Sequence, residues 1–174
     1  MAAARAGLGP LDVLVVNHAR SGSGSLAELT AEQLDAFLHE NVRASLLLVK
    51  EFAAQFEGER GSVVLLTSGA HLAPMTREVA YAVSKGALAV ATKTLAEELA
   101  DRHVRVNCVN PGPTDTGWGL AERDPAGVVP FGRWGDPDDA ARLVAWLFSD
   151  AGRWVTGQVI DSEGGFRRWV PSAS

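Results

Sequence analysis

Leu11-Asp12-Val13-Leu14-Val15-Val16 is a short, nearly unbroken run of apolar and β-branched residues. Such a run suits a strand covered on both faces, as strands of a parallel sheet are. Outward from it, polar and glycine residues fill positions 17–25, and Thr30-Ala31-Glu32-Gln33 has the form of a capping box. Behind that box Leu34, Leu38, Val42, Val49, Phe52 and Phe56 recur at helical spacing, and Gly58 ends the pattern. Gly61 to Ser68 (GSVVLLTS) reads as a second buried strand, and Tyr81 to about Ala100 as a long helix of small and apolar residues. Val104 to Val109 is a third strand, stopped by Pro111-Gly112. Asp136 to Asp139 precedes a helix carrying Leu143, Val144, Trp146, Leu147 and Phe148, and Gly157 to Asp161 makes a last strand. Strands alternating with helices predict an α/β chain with a doubly wound parallel sheet and helices on both faces. Residues 113–137 hold five Gly and four Pro and are expected to form a long, mobile loop.

The 174 residues are 47% apolar and 21% charged, with a formal net charge of −5. That composition suits one soluble globular core, with no internal repeat or domain linker, so 1–174 is read as a single domain. An acidic balance without a basic run argues against nucleic acid as a partner, and no apolar stretch is long enough to span a bilayer. Met1-Ala2-Ala3-Ala4-Arg5 lacks the apolar centre of a signal peptide, and a lone Cys108 fits a reducing compartment, so a cytoplasmic location is expected. Cys108 reads as a small hydrophobe on a buried strand, and without clustered His and Cys no metal site is expected.

The chemistry lies in Asn41, Ser68, Tyr81 and Lys85. Tyr81 and Lys85, four apart, lie on one face of a helix. An ammonium near a phenol stabilises phenolate, so Tyr81 is expected to exchange a proton nearer neutral pH than a free phenol does. A serine hydroxyl at a strand end, Ser68, can hold a carbonyl or alcohol oxygen. Asn41 sits in an otherwise apolar helical stretch, where a polar side chain needs a partner or interrupts the helix. Together these groups are an apparatus for interconverting a ketone and an alcohol. No serine lies in a G-x-S-x-G elbow and no G-x-x-x-x-G-K-[ST] string occurs, which disfavours a hydrolase or a P-loop enzyme. Gly22-Ser23-Gly24-Ser25-Leu26-Ala27 matches a dinucleotide-binding string, but its first glycine lies six residues beyond Val16, so a flexible connection is the better reading.

The spacing of Ser68, Tyr81 and Lys85 resembles that of the short-chain dehydrogenase/reductases, such as 3-oxoacyl carrier-protein reductases. So do the strings Leu11 to Ala19 (LDVLVVNHA), Val106 to Gly112 (VNCVNPG), Val155-Thr156-Gly157-Gln158 and Glu163-Gly164-Gly165. The resemblance implies a Rossmann-like sheet and hydride transfer between NAD or NADP and a small carbonyl or alcohol. It casts Tyr81 as general acid/base, Ser68 as orienter of the substrate oxygen, and Lys85 as ligand of the nicotinamide ribose that lowers the Tyr81 pKa. It gives Asn41 a water that relays protons to Lys85. Asn17, His18 and Ala19 would border the ribose, and Pro111, Gly112, Thr114 and Thr116 would face the nicotinamide and phosphates. A homodimer or homotetramer is implied, and 113–137 would be the substrate lid, made apolar by Trp118, Leu120, Val128, Val129, Phe131 and Trp134.

The chain departs from that family where a T-G-x-x-x-G-x-G turn and three βα units would precede Leu11. The resemblance implies a start roughly 80 residues into a domain of about 250. Without those units the Leu11 strand would be a sheet edge, the residues selecting NAD over NADP would be missing, and a marginal monomer is expected. His18 and Arg20 also stand where family members usually carry Asn and Gly. An alternative follows: a non-catalytic short form that assembles with full-length relatives.

Overall fold

The computed structural model describes residues 1–117, 120 and 124–169. Four parallel strands form one sheet in chain order: β1 (Val13–Val16), β2 (Gly61–Leu66), β3 (Val104–Asn110) and β4 (Val159–Asp161). The helices are α1 (Ala2–Leu8), α2 (Ala31–Phe37), α3 (Ala44–Gln55), α4 (Val79–Glu98) and α5 (Pro137–Phe148). The expected Rossmann-like parallel sheet is thus present. Because every strand runs the same way, residues 17–19, 67–68, 111–112 and 162–163 all emerge at its carboxyl edge.

Alternation along the strands divides the core. Val63, Leu65, Val104, Val106 and Cys108 meet α3 and α4 through Val49, Phe52, Phe56, Leu88 and Ala96. The intervening Val64, Leu66 and Val109 meet Leu147 of α5 on the other face. Fully buried side chains of this kind each contribute about 1.5–3 kcal/mol.

The first strand corrects one expectation. Leu14 and Val16 pack into the α3–α4 core, but Val13 and Val15 are 49% and 44% exposed. The core beneath α5 contains no residue of β1, so the Leu11–Val16 run is covered on one face only. It is also a sheet edge.

The capping box at Thr30 forms: Gln33 N donates to Thr30 Oγ1 and Thr30 N to Gln33 Oε1. Between α2 and α3 the backbone widens into a π-helical turn, Leu38–Arg43, around Asn41. The described part of 113–137 is tied at its base, with Asp115 N donating to Gly135 O (2.8 Å) and Gly135 N to Pro113 O (3.0 Å). Arg133 grips Asp139 there and, with the Asp136 N–H, holds that carboxyl down to about 2. Trp118 of the expected apolar lid lies outside the described residues. Among the described residues no helix is long and apolar enough to cross a membrane, and no group of His, Cys, Asp and Glu could hold a metal ion.

Candidate functional site

Lys85 is the centre of the carboxyl edge. It is only 3% exposed, and its Nζ donates to Leu66 O at 2.8 Å, the last residue of β2. Its own main-chain carbonyl accepts from Thr67 Oγ1, also at 2.8 Å. Helix α4 is therefore pinned to the end of β2, one residue short of Ser68, and Tyr81 lies one turn earlier on the same helix. Ser68 is 9% exposed and its hydroxyl faces Met75 Sδ at 3.6 Å.

The pKa directions differ from the sequence expectation. Burial, and then the nearby Glu78 carboxylate, push the Tyr81 phenol up. Burial pushes the Lys85 ammonium down, and in this structure its nearest acceptor is a backbone carbonyl. Desolvation is the larger cause of the phenol's rise.

Asn41, fully buried, interrupts the α2–α3 helix and finds partners, the two outcomes the sequence pattern allowed. Its Oδ1 accepts from Arg20 N (2.6 Å), and its Nδ2 donates to Arg20 O (3.0 Å) and to Ser84 Oγ (2.9 Å). Ser84 Oγ donates in turn to Tyr81 O at 2.9 Å. Asn41 thus joins the loop after β1 to the turn of α4 that bears Tyr81 and Lys85. Ser84 is a link that the sequence reading missed, although a serine flanked by Tyr81 and Lys85 was in view.

Asn17, His18 and Ala19 are exposed just beyond β1, with His18 Nε2 at 2.8 Å from Glu40 O. The connection that follows is tied rather than free: Gly24 N donates to Arg77 O at 2.6 Å, and Ser25 caps a short 3-10 turn with Glu28.

Beyond β3, Asn110 organises the next part of the edge. Its Oδ1 accepts from Gly112 N (3.1 Å), and its Nδ2 donates to Asp161 (2.8 Å) and Glu163 (2.7 Å). Gly112 holds φ +67°, and a Cβ there would come within 2.8 Å of the Glu163 backbone, so only glycine fits. Thr114 Oγ1 lies 3.3 Å from the carbonyls of Pro111 and Gly112, while Thr116 is exposed on the loop. Arg168 pairs with Glu163 through both guanidinium arms and lies over Gly69, beside Ser68. His71 bridges the same region, 3.2 Å from Ser68 O and 3.1 Å from Asp161 Oδ1. Asn110, Glu163 and Arg168 had no assigned part in the sequence reading. Pro113, Val129, Phe131, Trp134 and Glu163 line an adjoining cleft of about 250 Å³.

Comparison with known proteins identifies the fold and the family. The model of the family described as enoyl-(acyl carrier protein) reductase covers residues 1–167. The uncharacterized oxidoreductase YjdA of Bacillus subtilis (strain 168) is 44% identical over 166 residues, spanning 92% of this chain and 66% of that protein. A short-chain dehydrogenase/reductase of Serratia marcescens, solved as a double mutant, superposes with a TM-score of 0.88 at 31% identity; the match covers 95% of this chain and 69% of that one. The angucycline C-6 ketoreductase LanV, solved with bound NADP, gives 0.85 at 30% identity, covering 94% and 66%. The chain thus spans about two thirds of the length of these proteins. On its sheet and on these matches, the chain belongs to the short-chain dehydrogenase/reductase family of oxidoreductases.

Proposed function

We propose that this chain carries the proton-transfer half of an NAD(P)-dependent oxidoreductase that interconverts a carbonyl and an alcohol. The observation that carries the reading is the double tie of Lys85 to the end of β2, which holds the helix of Tyr81 against the strand end of Ser68. In reduction Tyr81 Oη gives its proton to the substrate oxygen; in oxidation it takes one back. Ser68 Oγ holds that oxygen during the exchange. Burial and Glu78 keep the phenol protonated at neutral pH, the form that donation requires.

The donors at the carboxyl edge suit a nicotinamide coenzyme. Lys85 and Tyr81 would hold the ribose hydroxyls, with Asn17, His18 and Ala19 bordering it and Pro111, Gly112, Thr114 and Thr116 on the nicotinamide side. The coenzyme, NAD or NADP, supplies the hydride; the NADP bound by LanV supports the latter. Asn41 serves by fixing the first turn of α4 through Ser84. Val129, Phe131 and Trp134 favour an apolar carbonyl compound in the adjoining cleft. Leu47, Val83 and Val90, 40–79% exposed on α3 and α4, suit a face shared between copies of the chain.

Titration of NADH and NADPH into the purified chain, followed by fluorescence, tests this. The expected result is saturable binding that Lys85→Ala weakens at least tenfold. Tyr81→Phe should keep that binding and lose about a hundredfold or more in turnover. A folded chain that binds neither coenzyme would overturn the claim that this polypeptide works as an oxidoreductase by itself.

A further inference from the structure

The amino-terminal edge of the sheet, opposite the site above, carries a second recess of about 600 Å³. That is the volume of a small-molecule site. Its floor is apolar, from Ala96 near the end of α4 and Val104 at the start of β3. Its walls are Trp154, whose indole is the most exposed of the described large apolar side chains at 95%, and the guanidinium groups of Arg60, Arg105 and Arg153. Among the described residues no acidic side chain lines it, in a chain whose net charge is −5.

The nearby charges leave this cation cluster largely uncompensated. Asp150 lies 3.7 Å from Arg60, but its side chain is 89% exposed, so water screens the pair. Arg153 uses Nη1 on the main-chain carbonyl of Asp150. Arg105 is held rigidly by carbonyls alone: Nη1 donates to Gly152 O (3.1 Å) and Val155 O (3.0 Å), and Nη2 to Leu147 O (2.7 Å). Carbonyls orient a guanidinium without neutralising it, and the fork retains donors for a planar acid.

We propose that this recess binds a planar organic anion, an aromatic ring bearing a carboxylate, sulfonate or phosphate. The ring stacks on the Trp154 indole over the Ala96–Val104 floor. The acid group is gripped by Arg60 and Arg153, with Arg105 as the fixed charge behind them. The site is independent of the carboxyl-edge chemistry, so it stands or falls apart from the oxidoreductase reading.

Calorimetric titration with naphthalene-2-sulfonate tests it, with inorganic sulfate and 2-naphthol as anion-only and ring-only comparators. The sulfonate should bind at least tenfold more tightly than either comparator. Trp154→Ala, and separately Arg60→Gln with Arg153→Gln, should each weaken it about tenfold. Arg142→Gln, which removes a positive charge from the outside of α5, should leave it unchanged. These side chains are exposed, so the variants spare the core; Arg105 is left intact because it caps three carbonyls. Equal affinity for sulfate or naphthol, indifference to Trp154→Ala, or an equal loss with Arg142→Gln would each overturn the proposal. So would an oligomer that Trp154→Ala dissociates, because the indole would then be an interface residue.

Discussion

Replacing Asn41 with alanine should destabilise the chain by about 3 kcal/mol, through hydrogen bonds rather than through charge. The side chain is fully buried and makes three bonds, to Arg20 N, Arg20 O and Ser84 Oγ. A neutral bond contributes about 0.5–1.5 kcal/mol net, and an orphaned buried partner costs about 1–3 kcal/mol. Arg20 lies on an exposed loop where water can reach its freed backbone groups, whereas Ser84 is sealed, so the sum falls near the middle of the range. With a urea dependence of about 2 kcal/mol per molar, the unfolding midpoint should fall by about 1.5 M. Arg20→Ala is the decisive comparison, because the bonds use its main chain, while its exposed side chain reaches Glu40 and lies over the Phe37 ring at 5.7 Å. That variant should cost at most about 1 kcal/mol, from an exposed ion pair and an exposed cation–π contact. In a double-mutant cycle Asn41→Ala and Ser84→Ala should couple by about 1 kcal/mol. An Asn41→Ala loss below about 0.5 kcal/mol, or an Arg20→Ala loss as large as it, would refute the reasoning.

Tyr81 is the chain's one tyrosine, so phenolate absorbance reports it alone; it should titrate above a free tyrosine, and Glu78→Gln should bring it down. A raised folded pKa means that its contribution to stability is intact below the unfolded value and drains as pH climbs from there through the folded value. The lowered Lys85 pKa acts oppositely in the same alkaline range, so absorbance, not stability, is the measurement that separates them. Cys108 is fully buried and its thiol is pushed up to about 11 by that burial, so a disulfide reagent at neutral pH should label it only at the rate of unfolding; rapid native labelling would contradict the packing. Gly69→Ala should displace Arg168 from Glu163, whose side chain is 8% exposed, and cost about 2–3 kcal/mol by denaturant unfolding. In an Arg168→Ala background the same substitution should cost little, and additivity there would be evidence against the contact.

Where an element is defined by its own composition, it was legible in advance. β2 is a nearly continuous apolar run and β3 sets Val104, Val106 and Cys108 alternately with polar residues; both are buried, and Thr30-Ala31-Glu32-Gln33 capped its helix as written. Coverage of β1 was not legible, because it depends on where α5 comes to rest, more than a hundred residues later. Ser68, Tyr81 and Lys85 were picked out by their spacing, and the structure adds the Leu66 carbonyl and the Thr67 hydroxyl that hold Lys85. Asn110, Glu163 and Arg168 are ordinary polar residues that are brought together only when β3 and the turn after β4 meet, some fifty residues apart in sequence. The sign of the Tyr81 shift needed burial, which a four-residue spacing does not encode.

The π turn at Leu38–Arg43 is, in effect, a helix with one residue too many. Each residue advances an α-helix by about 100°, so the extra one sets α2 and α3 out of phase and leaves α3 free to bury Val49 and Phe52 while Asn41 still faces α4. Deleting a single residue there would yield a smoother helix and a worse protein: regular backbone hydrogen bonds, but either Asn41 or the α3 core turned the wrong way. Local regularity and global fit oppose each other at this turn, and a gap of one residue in this stretch should be tolerated less than a gap in the loops on either side.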